Sequence, residues 1–557
     1  MPPTALSECD AMLETLAANA QAWVDTKIPA RIALLKETIT CSVAEAEGWV
    51  AAGCKAKGIN DGDAQAGEEW LAGPVTFIRN LRLLVEALEE GGQPELPSKS
   101  SNADGQKIAR VFPTNFTDKL MFTGITADVW MEPGKDIEQG RIYREKAAGK
   151  PGKPSVALVL GAGNVASIGP MDALYKLFVD DEVVILKTNP VNAYLGPYIE
   201  RCFAPFARKG WFAVAHGGAE QGAHLCKHAL VDSIHITGSD STHDAIVWGT
   251  DPEDKARRIA AKDPINTKPI SSELGAVTPV IIVPGNWSDA ELQYQARHVA
   301  SMVANNGSFN CNAAKVLVTA SGWSQRERFV ELVHSALGNM KPRKAYYPGA
   351  EKRYEGFLEN YPDAKKLGES HDGVVPWTVL PNVPPEKGEY ALSNEAFCGV
   401  LAETVIEAAD AAEFLPKVTV FANDVLFGTL SCMMLIHSST EKANKSAYDK
   451  AIAELKYGGI AVNCWAGLIY GLVVTPWGAH PGHTLEDIKS GRGVVHNTFM
   501  LENVQKTIVK APFRINPTPA WFADHKTQDE LGRALVGFEA TGSWMKLPGV
   551  IWAAMRG

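Results

Sequence analysis

Residues Val156–Ala166 read VALVLGAGNVA. Five apolar residues suited to a buried strand run into Gly161-Ala162-Gly163, with the G-x-G-x-x-A spacing of a dinucleotide-binding turn between strand and helix. That reading needs a second feature: an acidic residue about twenty positions on, at the end of the next strand, to hold an adenosine ribose. Here the next strand ends in Lys187-Thr188-Asn189. The glycines therefore need another role.

Outward from this turn the pattern is regular. Strand Val156–Leu160 is followed by a helix near Pro170–Val179, strand Val183–Leu186, helix Ala193–Arg208, strand Phe212–His216, helix Ala219–His228 and strand Ser233–Thr237. Short strands alternating with helices of ten to fifteen residues predict an α/β protein with a parallel, doubly wound sheet, whose ligands bind beyond the carboxyl ends of the strands. A second α/β region begins near Pro269, with strand Val277–Val283 and a helix opened by the capping box Ser288-x-x-Glu291. That helix leads into Val299–Val318, VASMVANNGSFNCNAAKVLV. A helix end near Asn305-Asn306, a break at Gly307, Cys311 in a polar loop and a strand from Lys315 would hold one thiol at a cleft mouth. There its pKa is expected to be lowered and the thiol partly exposed, as a nucleophile requires. The alternative is an inert core cysteine, against which the polar neighbours Asn310 and Asn312 count.

Before the sheet, residues 7–90 read as helices. Ser7 is expected to cap the first, Pro29 to open the second, and Glu68–Glu90 to form a third. Gly91–Gly105 reads as a loop, Met121–Met131 as a strand, and Glu132–Lys153 as a charged connection. After Pro476 the pattern weakens. The tail from Ala511 is broken by prolines and finishes in SWMKLPGVIWAAM, expected to cover a partner subunit, pack on its own core or touch a membrane surface, in that order.

The chain has 557 residues, enough for two or three domains, with 46% hydrophobic and 21% charged residues and a formal net charge of -10. That charge leaves no basic footprint for nucleic acid. Nine scattered cysteines without a C-x-x-C pair fit a reduced, cytoplasmic setting, and MPPTALSECDAM is not a secretory signal. The longest apolar run, Trp465–Val474, is too short to span a membrane. His224 and His228 share a helix face, but without H-E-x-x-H they read as a surface pair, and no metal is expected.

Several segments in fixed order carry a resemblance. Gly163-Asn164 precedes a proline-started helix, Val183–Lys187 ends in lysine, and Ile236-Thr237-Gly238-Ser239 runs from strand into helix. Glu273-Leu274-Gly275 then stands 38 residues before Cys311, followed by Glu395-Ala396-Phe397, Phe427-Gly428 and Val462-Asn463. Over roughly residues 30–505 the chain resembles the aldehyde dehydrogenase superfamily, as a divergent member with an extended C-terminus. The resemblance implies a parallel doubly wound cofactor domain (1–272, interrupted by a small oligomerisation arm near 118–150) and an α/β catalytic domain (273–475). Residues 476–557 would return to the cofactor domain and supply a further oligomerisation strand. It implies an aldehyde substrate, NAD or NADP as cofactor, and a homodimer or homotetramer.

The resemblance also assigns roles. Cys311 would attack the aldehyde carbon, and the Asn164 amide with the Cys311 N–H would form an oxyanion hole, where losing one donor costs ~10²–10³ in turnover. Glu273 would activate the water that hydrolyses the thioester. Gly238 and Ser239 would offer N–H groups to the pyrophosphate, Lys187 would bind the adenosine ribose, Glu395 would hold the nicotinamide ribose, and Phe397 would pack beside it. Gly163 would belong to the turn that presents Asn164. Departures accompany these matches. Pro190 stands where a ribose-binding carboxylate is usual, which opens the site to NADP. E-L-G-G-K is here Glu273-Leu274-Gly275-Ala276-Val277, and the tail after about Val509 has no counterpart. The competing readings are a CoA-acylating dehydrogenase, disfavoured by a hydrolytic Glu273, and a non-catalytic protein that keeps the fold.

Overall fold

The strands Val156–Leu160 and Val183–Lys187 are buried at every position, so this part of the sheet must be covered on both faces. The computed structural model describes every residue except Asp61, Ser370 and Asp372. It shows two large sheets. The first has six strands in the order Gly491–Arg492, Ile270–Leu274, Ser233–Gly238, Val156–Leu160, Val183–Lys187 and Phe212–Ala215, parallel except for the short first strand. The expected strands stand within a residue or so of their predicted bounds. The helix expected over Ala193–Arg208 is instead a 3-10 turn, Pro190–Leu195, and two short helices, Gly196–Cys202 and Ala204–Ala207. Pro197 and Pro205 each restart the helix, because proline lacks the N–H that would continue it.

The second sheet has eleven strands. Its parallel centre is Val504–Lys510, Gly459–Val462, Ser431–Leu435, Pro279–Ile282, Val316–Ala320, Val400–Ile406 and Trp377–Leu380. Lys365–Leu367 closes one edge; Thr126–Met131, Lys107–Phe112 and Ser98–Ser101 extend the other, all antiparallel. The capping box before helix Asp289–Ala304 forms as read, with Ser288 N donating to Glu291 Oε2 at 2.8 Å.

Other local expectations change. Ser7 lies inside helix Leu6–Asp25; Ala5 is the N-cap, and the helix start is satisfied by Glu8, which accepts from Ala5 N at 3.2 Å. Residues 68–90 divide at Gly73-Pro74 into Ala66–Trp70, a π turn and Thr76–Glu89. The loop 91–105 holds an exposed strand, Ser98–Ser101, and the connection 132–153 holds helix Arg141–Ala147. Met121–Met131 is a strand only from Thr126; Phe116–Met121 is a helix capped by Asn115. Both edges of Thr126–Met131 are paired within the chain, and Val504–Lys510 continues that arm directly into the chain's own sheet. Thr126–Met131 thus has no unpaired edge of its own; the outer edge of the arm is Ser98–Ser101, exposed at every position.

The tail packs on its own chain, the second of the expected options. Helices Gln528–Thr541 and Leu547–Met555 bury Leu531, Phe538, Leu547 and Val550 between them. Trp70 Nε1 donates to Asp529 Oδ1 at 2.8 Å and Arg79 Nη1 to Glu539 Oε1 at 2.9 Å. No helix among the described residues is long and apolar enough to cross a membrane. His224 and His228 both face Asp10, at 2.5 and 3.5 Å, and no metal-binding group is found among the described residues.

The docking of the tail is close enough to test. A methyl group on Gly67 would meet the Gln528 backbone at 2.3 Å. Gly67→Ala gains helix propensity of about 1 kcal/mol but overpacks a backbone contact at a cost of roughly 1–3 kcal/mol. The urea midpoint should fall; an unchanged midpoint would show that helix Gln528–Thr541 does not rest on this glycine.

Candidate active site

The site lies at the seam of the two sheets. Strand Ile270–Leu274 belongs to the six-stranded sheet, Pro279–Ile282 to the other, so the chain crosses between them just after Glu273. Strand Val316–Ala320 pairs beside Pro279–Ile282, and Lys315 N donates to the Thr278 carbonyl at 2.9 Å. The Cys311 loop is thereby laid against the crossing, with Thr278 Oγ1 donating to the Cys311 carbonyl at 3.2 Å. As the sequence suggests, the helix ends at Asn305, and Asn306, Gly307 and Ser308 all adopt left-handed backbone (φ 52°, 65° and 67°), which turns the chain toward the thiol.

One cleft of about 1620 Å³ is lined by Asn164, Lys187, Pro190, Gly238, Ser239, Glu273, Cys311, Glu395 and Phe397. Every expected site residue except Gly163 is thus on its wall. Gly163 instead packs behind the turn, where a Cβ would strike Asn189 Oδ1 and Val191 at 2.8 Å, while Gly161 lines the cleft. Gly275 passes so close beneath Glu395 that a Cβ would approach Oε2 to 2.0 Å. Ser239 is the N-cap of helix Asp240–Trp248, whose first turn lines the cleft; Thr242 N donates to Ser239 Oγ at 3.2 Å and Ser241 N to Asp240 Oδ1 at 2.7 Å. Asn164 donates from Nδ2 to the Phe309 carbonyl at 2.9 Å, which leaves its second amide hydrogen for a ligand.

Electrostatically the Cys311 end is buried and acidic. Burial, reinforced by the facing Glu273 and Glu395, pushes the Cys311 thiol well above its usual range. This reverses the lowered pKa expected from the polar loop, because desolvation outweighs the neighbouring dipoles. Burial also raises Glu273 to about 8, with Asp172 and Glu395 adding repulsion, and raises Glu395 to about 7. The carboxyl and the thiol face each other and compete for protons. Lys315, missed by the sequence reading, is the opposing cation: its buried Nζ donates to the Ser308 and Asn310 carbonyls at 3.1 and 3.3 Å and favours the thiolate. Its place at the start of an apolar strand was the available signal.

The far end of the cleft is basic. Lys187, Lys227 and Lys268 all line it and gather around Cys226, whereas the lining carboxylates are Asp240, Glu273 and Glu395, with Asp240 near enough to raise Glu395 and one lining cation, Arg353, beside it over the Phe397 ring. The buried Oε1 atoms of Glu273 and Glu395 have no hydrogen-bond partner among the described residues. A long groove with an acidic, donor-seeking end and a basic end fits an extended phosphate-bearing cofactor.

Comparison with known proteins bears on the family and the fold. The profile of the aldehyde dehydrogenase family matches residues 181–478. The 4-trimethylaminobutyraldehyde dehydrogenase A of Danio rerio is 29% identical over 161 residues, which span 28% of this chain and only 27% of that protein's length. Among solved structures, the aldehyde dehydrogenase KauB from Pseudomonas aeruginosa superposes with a TM-score of 0.62 at 16% identity, covering 92% of this chain and 90% of the other. The glyceraldehyde-3-phosphate dehydrogenase GapN from Methanocaldococcus jannaschii, complexed with NADP, gives 0.61 at 15%, covering 92% and 96%. These likenesses define an α/β fold of the dehydrogenase type. The chain belongs to the aldehyde dehydrogenase family.

The proton competition at the thiol has a direct readout. Of the nine free cysteines only Cys41 and Cys311 are not buried. Glu273→Gln removes the nearest like charge, so iodoacetamide should label Cys311 faster at pH 8, by about threefold or more. Lys315→Met should slow it, and labelling that moves the same way in both variants would refute this charge assignment.

Proposed function

We propose that this protein oxidises an aldehyde to a carboxylic acid with NAD or NADP. The observation that carries the reading is the facing pair of Cys311 and Glu273 at one end of a single groove whose other end is basic. Cys311 forms the C–S bond to the aldehyde carbon, its proton passing to Glu273. The carbonyl oxygen, now an alkoxide, is held by the Asn164 amide and the Cys311 N–H. A nicotinamide held beside Glu395 and Phe397 would supply the hydride acceptor that lets the thiohemiacetal become a thioester. Glu273 releases the thiol proton to solvent through the cleft and, ionised again, takes a proton from water as the water oxygen attacks the thioester, the C–S bond breaks and the thiolate returns. Burial of Glu273 suits both proton transfers, because a base with a pKa near the working pH can gain and lose a proton.

Residue by residue, Gly238 and Ser239 serve the pyrophosphate, Glu395 the nicotinamide ribose beside Phe397, and Lys187 the adenosine ribose. The two units follow the sheets: the six-stranded one binds cofactor and the eleven-stranded one carries the thiol. A CoA-acylating reaction is the second reading; Glu273 beside the thiol favours water as acceptor. The test is reduced-cofactor absorbance with aliphatic and aromatic aldehydes, with NAD or NADP, with and without coenzyme A. Cys311→Ala should abolish turnover and leave cofactor affinity nearly unchanged, and substantial residual turnover would sink the assignment. Because Glu273 acts as a base only when ionised, and burial raises it to about 8, kcat should climb as pH rises through about 8. A profile flat from pH 6 to about 9 would contradict that role.

Cofactor choice follows from Pro190 and the lysines. With proline at a position otherwise able to repel a 2′-phosphate, and Lys187, Lys227 and Lys268 gathered nearby, NADP should be accepted at least as well as NAD. Pro190→Glu should shift kcat/KM toward NAD by roughly tenfold, the effect of one repulsion of ~1.4 kcal/mol. Strong rejection of NADP by the wild type would show that another residue reads the ribose.

A further inference from the structure

The reaction above leaves a buried ionic cluster unused. Helix Ile28–Lys57 ends at Lys57, whose ammonium is buried and donates to Glu69 Oε1 at 2.7 Å, to the Asn164 carbonyl at 3.1 Å and to Asn306 Oδ1 at 3.0 Å. The Tyr346 hydroxyl lies between the same two oxygens, at 3.1 and 3.0 Å, which share its one hydrogen, and Asn306 Nδ2 donates to the Asn164 carbonyl at 3.0 Å. Three donor groups therefore surround one carbonyl oxygen. From the other side, Asn306 N donates to Glu68 Oε2 at 3.0 Å, and Arg343 pairs with that carboxylate at 2.8 Å.

A buried ammonium is expensive to keep without purpose, and an apolar side chain would fill the same volume at less cost. What this cluster accomplishes geometrically is specific. It ties the main chain of Asn164, in the six-stranded unit, to Asn306, at the start of the Cys311 loop in the other unit. The two donors assigned to the oxyanion hole come from opposite sides of the seam, so their separation is set by whatever joins Asn164 to that loop. We propose that Lys57 is a positioning residue for the oxyanion hole: with Tyr346 it locks the Asn164 peptide against Asn306, so that the Asn164 amide and the Cys311 N–H converge on one oxygen. The inference rests on the aldehyde-oxidation reading of Cys311. The cluster is also continuous with the C-terminal tail. Glu68 and Glu69 sit on helix Ala66–Trp70, which the tail holds through Gln528 against Gly67 and Asp529 against Trp70.

The test separates positioning from general damage. Lys57→Met alone strands Glu69 as a buried unpaired carboxylate, so the variant is Lys57→Met with Glu69→Gln, compared with Lys57→Arg in the full-length protein. Alkylation of Cys311 by iodoacetamide needs the thiolate but no oxyanion donor, whereas aldehyde oxidation needs both. The double variant should lose about tenfold or more in the pre-steady-state burst of reduced cofactor, while alkylation and cofactor Kd stay within about twofold. Lys57→Arg, which keeps a buried donor, should recover part of the burst. A burst within about twofold of wild type, or parallel losses in burst and alkylation, overturns the proposal. If wild type oxidises no aldehyde with either cofactor, the reading of Cys311 itself fails and takes this inference with it; an active wild type with an unaffected double variant refutes the positioning role alone.

Discussion

The crossing from Leu274 to Pro279 is the constraint on which the rest depends. It is short, and it begins one residue after Glu273 and ends in the strand beside which Val316–Ala320 is laid. The main-chain bond from Lys315 to Thr278 and the Thr278 hydroxyl on the Cys311 carbonyl leave the thiol loop little freedom relative to the acid. An acid from one sheet and a thiol from another, 38 residues apart in the chain, are thus held face to face by strand pairing, with the Thr278 hydroxyl as a side-chain tie. Geometry of this kind is cheap to maintain, since the sheet hydrogen bonds that fix it also hold the fold.

Holding an acid and a thiol together in a water-poor recess has an electrostatic consequence. Neither group ionises easily: burial raises both and Glu273 raises the thiol further, while the hydrogen bond from the thiol draws Glu273 back down. Lys315 offsets this from within, and its two carbonyl contacts convert the same charge into a brace for the loop. The arrangement resists full ionisation and holds both the acid and the thiol toward their protonated forms. Stability and chemistry here draw on the same buried charges, as at other sites built from desolvated ionisable groups.

The remaining architecture protects the seam. The arm strands Lys107–Phe112 and Thr126–Met131 close on the chain's own sheet through Val504–Lys510, and the buried Lys506 pins that strand by donating to the Ile452, Ala453 and Leu455 carbonyls at 3.1, 2.7 and 2.8 Å. These carbonyls end helix Lys445–Glu454, where a cation also meets the negative end of the helix dipole. The tail helices cover the N-terminal helices on another side. Both additions exploit segments that carry weak local signals, such as the exposed strand Ser98–Ser101 and the proline-broken stretch after Ala511.

What was legible from the chain alone was whatever depends on neighbours in sequence. The all-apolar run Val156–Leu160, the capping box Ser288-x-x-Glu291 and the break at Asn306-Gly307 each act within a few residues, and the structure keeps them. The resemblance carried by Glu273, Cys311 and Glu395 pointed to one cleft, because those residues lie at strand ends and loops that the parallel sheets must bring together. Burial was not legible. The thiol's upward shift, the role of Lys315 and the closing of the arm in cis all depend on which distant surfaces meet. Lys57 shows the limit most clearly: in sequence it is one of several lysines at a helix end, and only the tertiary structure places it on Asn164, 107 residues away, and Asn306, 249 residues away. Local pattern determines which elements form; desolvation and long-range partners, which decide what a charge can do, exist only after the chain has folded.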